Sequence, residues 1–183
     1  MKNLYYIRHG LSQANIEEMW GGQTESALTL EGQEQALVAG QAIKSQGIAI
    51  DALYSSSLSR AYDTARIIAY QINYPEDKII RDDIFLERSF GEQDGIVREP
   101  GFFDRYTYAE TDNFIGGETV ADLQARAARA LDLLRKVDAD TLLLVGHGAF
   151  GRALRRHINN QPPSDEFTSG LLLIPNCELI KLI

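Results

Sequence analysis

The chain has 183 residues with 18 Lys+Arg against 26 Asp+Glu, a formal charge of −8. Its 44% hydrophobic and 24% charged content excludes a disordered chain, and its length predicts one domain over residues 1–183 and not two. The acidic balance opposes nucleic acid and anionic membranes as partners, while one cysteine, Cys177, permits no internal disulfide and reads as a buried structural thiol.

In chain order, Leu4-Tyr5-Tyr6-Ile7 is a short apolar run that predicts a strand buried on both faces. The apolar run before Arg8 is only four residues long, too short for a signal-peptide core or a membrane span, so a cytoplasmic protein is expected. Between Thr29 as N-cap and Gly47 as stop, Ala36, Leu37, Gly40 and Ile43 keep a helical step. Leu53-Tyr54 predicts a brief strand. From Ser57, taken as a cap, the spacing of Leu58, Ala61, Ala65, Ile68 and Ile72 predicts a second amphipathic helix that ends before Tyr74-Pro75.

Residues 81–117 have no clean period and read as loops with one or two short helices covering a site. Thr119 to Asp122 resembles a capping box, after which Val120, Leu123, Ala127, Leu131 and Leu134 line one helix face. Leu142 to Val145 predicts a buried strand, Ala149 to His157 a helix, and Leu171 to Ile174, a Pro175-Asn176 turn and Cys177 to Ile183 a final strand pair. The β-α-β-α order predicts an α/β protein: a three-layer α/β/α sandwich around a mostly parallel sheet.

Two of the three histidines, His9 and His147, stand just past the two strongest strands, each followed by glycine. Ligands of open α/β sheets bind beyond the carboxyl ends of the strands. Taken singly, each fits a hydrogen-bonded strand-end histidine; their matched placement favours one shared site. His157, in Arg155-Arg156-His157, reads as a solvated helix end.

Arg60 falls in the first turn of the second helix, where the helix dipole disfavours a cation by about 0.3–1 kcal/mol. A bound anion would remove that conflict; a solvated pair with Asp63 is the alternative. Arg8 beside His9 favours the anion, because two arginines and two histidines at the strand ends would form a phosphate pocket. No nucleotide-binding glycine loop, nucleophile elbow or zinc spacing occurs, Asp82-Asp83 reads as solvated, and neither a metal nor another cofactor is expected.

Leu-Tyr-Tyr-Ile-Arg-His-Gly-Leu-Ser-Gln-Ala-Asn, residues 4–15, resembles the signature of the histidine phosphatase superfamily, the phosphoglycerate mutase-like proteins. The segments from Thr24 to Gly32, Tyr54 to Ala65, Leu86 to Glu92, Gly116 to Thr119 and Val145 to Gly148 resemble further family segments in the family's order. The resemblance implies that His9 is a nucleophile forming a phosphohistidine, and that Arg8, Arg60 and His147 hold the phosphoryl oxygens. It also implies that Glu87 protonates the leaving oxygen and then activates water, and that Asn15 lies near the phosphate; as plain residues, Glu87 would pair with Arg88 and Asn15 would cap a turn.

Leu11 stands where the family often has Glu or Gln, and residues 91–116 lack the paired arginines of the mutases, having Arg98 and Arg105 among Phe102, Phe103, Tyr106 and Tyr108. These aromatics would pack as a lid or favour a sugar, nucleotide or aromatic ester. The expectation is a metal-independent hydrolase of a small phosphomonoester. A phosphoglycerate mutase is the first alternative and a non-catalytic phosphate-binding module the second.

Overall fold

The computed structural model describes residues 1–99, 112–163 and 174–183. The elements are β1 (Asn3–Arg8), α1 (Gln13–Ile16), α2 (Leu30–Ser45), β2 (Ala52–Ser55), α3 (Ser59–Gln71), β3 (Ile80–Arg81), α4 (Val120–Arg135), β4 (Thr141–Gly146), α5 (Gly148–Ile158) and β5 (Ile180–Lys181). Among the described residues of 81–117, single 3-10 turns stand at Asp83–Phe85 and Gly91–Gln93, and a further one precedes them at Glu76–Lys78. The aromatic segment from Phe102 to Tyr108 and Arg105 lie outside the described residues.

The strands form one sheet in the order β3-β2-β4-β1-β5, parallel except for β5, which runs antiparallel to β1. Strand side chains alternate in direction, and β4 sends Leu142 and Leu144 to one face and Leu143 and Val145 to the other. The first face packs with Leu4 and Tyr6 against Leu123, Ala127 and Leu131 of α4 and Phe150 and Leu154 of α5. The second packs with Ile7 and Leu53 against Ala39 and Ile43 of α2 and Ala61, Ala65 and Ile68 of α3. Helices on both faces of a mostly parallel sheet make the expected mixed α/β, three-layer arrangement.

Thr29 caps α2 as expected: its side chain accepts from the Gly32 N–H at 3.0 Å, a bond worth about 1 kcal/mol. Leu37, assigned to the inner face of α2, is instead 39% exposed. Ser57 does not cap α3. Leu58 is the N-cap, Ser57 Oγ donates to Asp83, and the Glu25 carboxylate reaches across from the loop before α2 to accept from the Ser59 N–H at 2.9 Å. Asp82 and Asp83 are engaged and not simply solvated, since Asp82 accepts from the Ile84 N–H and Asp83 from Ser57. Thr119 caps α4 with Asp122, as the pattern required.

Among the described residues 174–183 only Ile180–Lys181 is a strand, paired with Tyr5 and Tyr6. Cys177 has φ +54°, a turn conformation that interrupts extended pairing from residue 177. The first member of the expected pair, Leu171 to Leu173, lies outside the described residues. Cys177 is partly and not fully buried, and burial pushes its thiol up to about 12. No helix among the described residues is long and apolar enough to cross a membrane.

Candidate active site

β1 and β4 pair in register, Arg8 opposite Gly146, so the next residue of each strand is a histidine. The His9 N–H donates to the Gly146 carbonyl at 2.9 Å, and the two imidazoles meet edge to face with centroids 5.2 Å apart. Both rings are buried. The sheet register therefore brings together the pair that the sequence spacing singled out.

His9 Nδ1 lies 2.7 Å from the Gly10 carbonyl oxygen. A carbonyl only accepts, so Nδ1 carries the hydrogen and Nε2 keeps its lone pair, the tautomer a nucleophile needs. Burial, followed by the charges of Arg60 and Arg8, pulls the His9 pKa well below 6.5, and the same causes, with His9 itself, act on His147. Both rings are thus neutral near pH 7. His147 Nε2 is 2.8 Å from Ser56 Oγ, while its buried Nδ1 has no hydrogen-bond partner among the described residues.

Behind the histidine loop, Gly10 and Gly32 touch through their backbones. A Cβ on Gly10 would lie 2.2 Å from the Gly32 carbonyl oxygen, and one on Gly32 would lie 2.1 Å from that of Leu11, so only glycine fits at either position. The Gly10 N–H donates to Thr64 Oγ1 of α3, and the Leu11 N–H to Gln35 of α2. From the other side Asn176 donates to the His9 carbonyl at 2.6 Å, and the Arg8 guanidinium to the Ile174 carbonyl. The loop carrying Arg8 and His9 is thereby fixed on both flanks.

Arg60, the second residue of α3, is 2% exposed and donates to the carbonyls of Thr24 at 2.7 Å and Gly22 at 2.8 Å. Burial lowers its pKa, and the negative charges of Glu87 and Glu25 oppose that shift. The solvated pairing with Asp63 does not form; Asp63 lies beside Arg66 instead. Glu87 is not paired with Arg88 either. Its Oε1 accepts from the N–H groups of Arg88 and Phe150 and its Oε2 from that of Ala149, which seats the carboxylate on the first turn of α5. The Arg88 side chain turns away to Asp112 and to the Glu118 carbonyl.

Asn15 Oδ1 accepts from the N–H and hydroxyl of Ser12, so it serves as the turn cap considered above, yet Asn15 also borders the cavity. That cavity, of 260 Å³, is lined by Arg8, His9, Asn15, Arg60 and Glu87, with Met19, Trp20, Phe90, Arg98 and Arg152 among its further walls. His147 backs His9 without lining it. No group of three or more His, Cys, Asp or Glu among the described residues could hold a metal ion.

Sequence reasoning missed Ser56, whose place in Ser55-Ser56-Ser57 at the end of β2 was its only signal, and Trp20, the chain's one tryptophan, whose ring packs tilted against Phe90 with centroids 4.7 Å apart. It also missed Tyr6. The Tyr6 hydroxyl donates to the His147 carbonyl and accepts from the His147 N–H, both at 2.7 Å, so a core tyrosine of β1 fixes the backbone of the second histidine.

A sequence profile of the histidine phosphatase superfamily (branch 1) matches residues 4–183. A 2,3-bisphosphoglycerate-dependent phosphoglycerate mutase of Brucella anthropi is 30% identical over 175 residues, covering 88% of this chain and 84% of the relative. The mutase of the same name from Parvibaculum lavamentivorans is 36% identical over 96 residues, which span 52% of this chain and 46% of that protein. A mycobacterial glucosyl-3-phosphoglycerate phosphatase superposes with a TM-score of 0.71 at 25% identity, over 88% of this chain and 81% of its own. With the paired histidines and Arg8 at the strand ends, the buried Arg60 at the start of α3, and a profile that spans nearly the whole sequence, the chain belongs to the histidine phosphatase superfamily, branch 1.

Proposed function

We propose that the protein hydrolyses a small phosphomonoester without a metal, through a phosphohistidine on His9. The observation that carries this reading is the neutral His9, with Nδ1 bonded to Gly10 and Nε2 bearing a lone pair, buried against two arginines at the cavity floor. His9 Nε2 attacks phosphorus and the bond from phosphorus to the leaving oxygen breaks. Arg8 and Arg60 take the equatorial oxygens, His147 Nδ1 is its remaining ring nitrogen for the same group, and Asn15 has its amide N–H groups left to donate.

Glu87 supplies the proton to the leaving oxygen. Its Oε2 accepts one N–H where Oε1 accepts two, so Oε2 is the oxygen with capacity left for a proton. In the second half, water gives a proton to the Glu87 carboxylate as its oxygen attacks phosphorus, the bond to His9 Nε2 breaks, and inorganic phosphate leaves. A cavity of 260 Å³ suits a small metabolite, and we include neither nucleic acid nor a membrane surface among the partners. The nearby superposing phosphatase and the lack of the mutases' paired arginines support hydrolysis.

A second reading, phosphoglycerate mutase, is favoured by the names of the two relatives. Product analysis separates the two. With a panel of phosphomonoesters, hydrolysis yields stoichiometric inorganic phosphate, unchanged by EDTA. Conversion of 3-phosphoglycerate to 2-phosphoglycerate without net phosphate release would establish the mutase instead, and EDTA inhibition reversed by a divalent cation would overturn the metal-free mechanism.

A further inference from the structure

Glu87 stands on a segment without regular structure, between the 3-10 turn that ends at Phe85 and the one that begins at Gly91. A side chain on such a segment is only as well placed as its main chain is held. Gln23 Nε2 donates to the Glu87 carbonyl at 3.1 Å, and among the described residues the other side-chain donors to this stretch of main chain come from one residue. Arg126, on the second turn of α4, donates to three carbonyls in and just before the segment: Ile84 in the preceding turn at 3.0 Å, Leu86 at 2.7 Å and Glu87 itself at 3.1 Å. Its remaining donors grip Glu118 through both carboxylate oxygens at 2.8 and 2.6 Å.

Both partners are largely shielded, at 12% and 16% side-chain exposure, so the pair is held in a medium where charge-assisted bonds are strong. The guanidinium also packs 5.3 Å from the ring centroid of Phe150, the residue whose N–H holds Glu87 Oε1. Arg126 therefore touches the Glu87 backbone on one side and the helix start that receives its carboxylate on the other. The Glu118 N–H donates to the Ser89 carbonyl, so the same pair extends its hold beyond Glu87.

We propose that Arg126, oriented by Glu118, is a positioning residue that sets the Glu87 carboxyl at the height of the cavity where a leaving oxygen is protonated. The proposal rests on the reading of Glu87 as the proton-transfer group. A misplacement on the order of 1 Å costs up to about 100-fold when a reaction needs the group, and nothing when it does not. Esters whose leaving group departs without a proton would then be indifferent to Arg126.

The test is single-turnover phosphorylation of His9 from two donors, 2,4-dinitrophenyl phosphate, whose leaving group needs no proton, and glycerol phosphate, whose alkoxide does. Arg126→Met is expected to slow phosphorylation from glycerol phosphate by about 10- to 100-fold and that from the dinitrophenyl ester by less than about threefold. Equal slowing of both, the result of a merely structural role, would overturn the proposal, as would no slowing of either.

Glu118→Gln, which leaves Arg126 its three carbonyls, should show the same selectivity in weaker form and decides the matter if Arg126→Met does not fold; absence of selectivity there is equally contrary. Glu87→Gln separates the two levels of the argument. If it slows both donors alike, the reading of Glu87 fails; if it is selective and the Arg126 and Glu118 variants are not, the positioning role alone fails. A wild-type protein phosphorylated by neither donor overturns both.

Discussion

His9 is held as a neutral ring, the form the proposed phosphohistidine chemistry needs, by one bond to a neighbouring carbonyl and by burial next to two cations, and these have a thermodynamic cost. The folded protein holds the pKa values of His9 and His147 well below 6.5, whereas the unfolded chain protonates both near that value. In the window just below pH 6.5 the unfolded state therefore binds more protons, so stability falls as pH falls, by up to about 1.4 kcal/mol per pH unit for each histidine. Urea unfolding between pH 7.5 and 5.5 should show this slope, reduced by about half in His9→Gln. Stability that is flat, or that rises toward pH 5.5, would contradict the neutral pair. The two histidines and two arginines were legible because residue type and placement, at two strand ends and one helix start, point to one chemistry. Glu87 was legible only through family resemblance, since the 26 acids look alike until the fold seats one on the start of α5.

At the scale of elements, periodicity and capping chemistry read well where they are local. Thr29, Thr119 and the inner face of α4 stand as the pattern required, because a cap or a helical stripe is decided within four residues. Ser57 failed as a cap for the opposite reason. Its hydroxyl is drawn to Asp83 and the helix start is served by Glu25, both distant in sequence from the turn they serve. The contact of Gly10 with Gly32 was likewise invisible in either segment alone, although it decides how α2 supports the histidine loop. Gly32→Ala drives a methyl group against the Leu11 backbone and should destabilise the fold by about 1–3 kcal/mol while lowering turnover, read from urea midpoints and initial rates. Wild-type stability and turnover in that variant would show that the two backbones are free to separate.

For the whole molecule, a charge of −8 and an anionic substrate are compatible because the relevant potential is local. Charges beyond about 8–10 Å are screened at physiological salt, while Arg8 and Arg60 line the cavity itself. The sandwich turns a property spread over the chain into a site by register: β1 against β4 sets one histidine beside the other, α3 brings an arginine to the same edge, and α5 receives the acid. That convergence makes a covalent phosphoenzyme the central claim. Its most direct test is brief incubation with a radiolabelled phosphomonoester followed by denaturation. The account expects label on His9 that is lost in acid and kept in base, and none in His9→Ala; acid-stable label, or hydrolysis by His9→Ala at the wild-type rate, would contradict it.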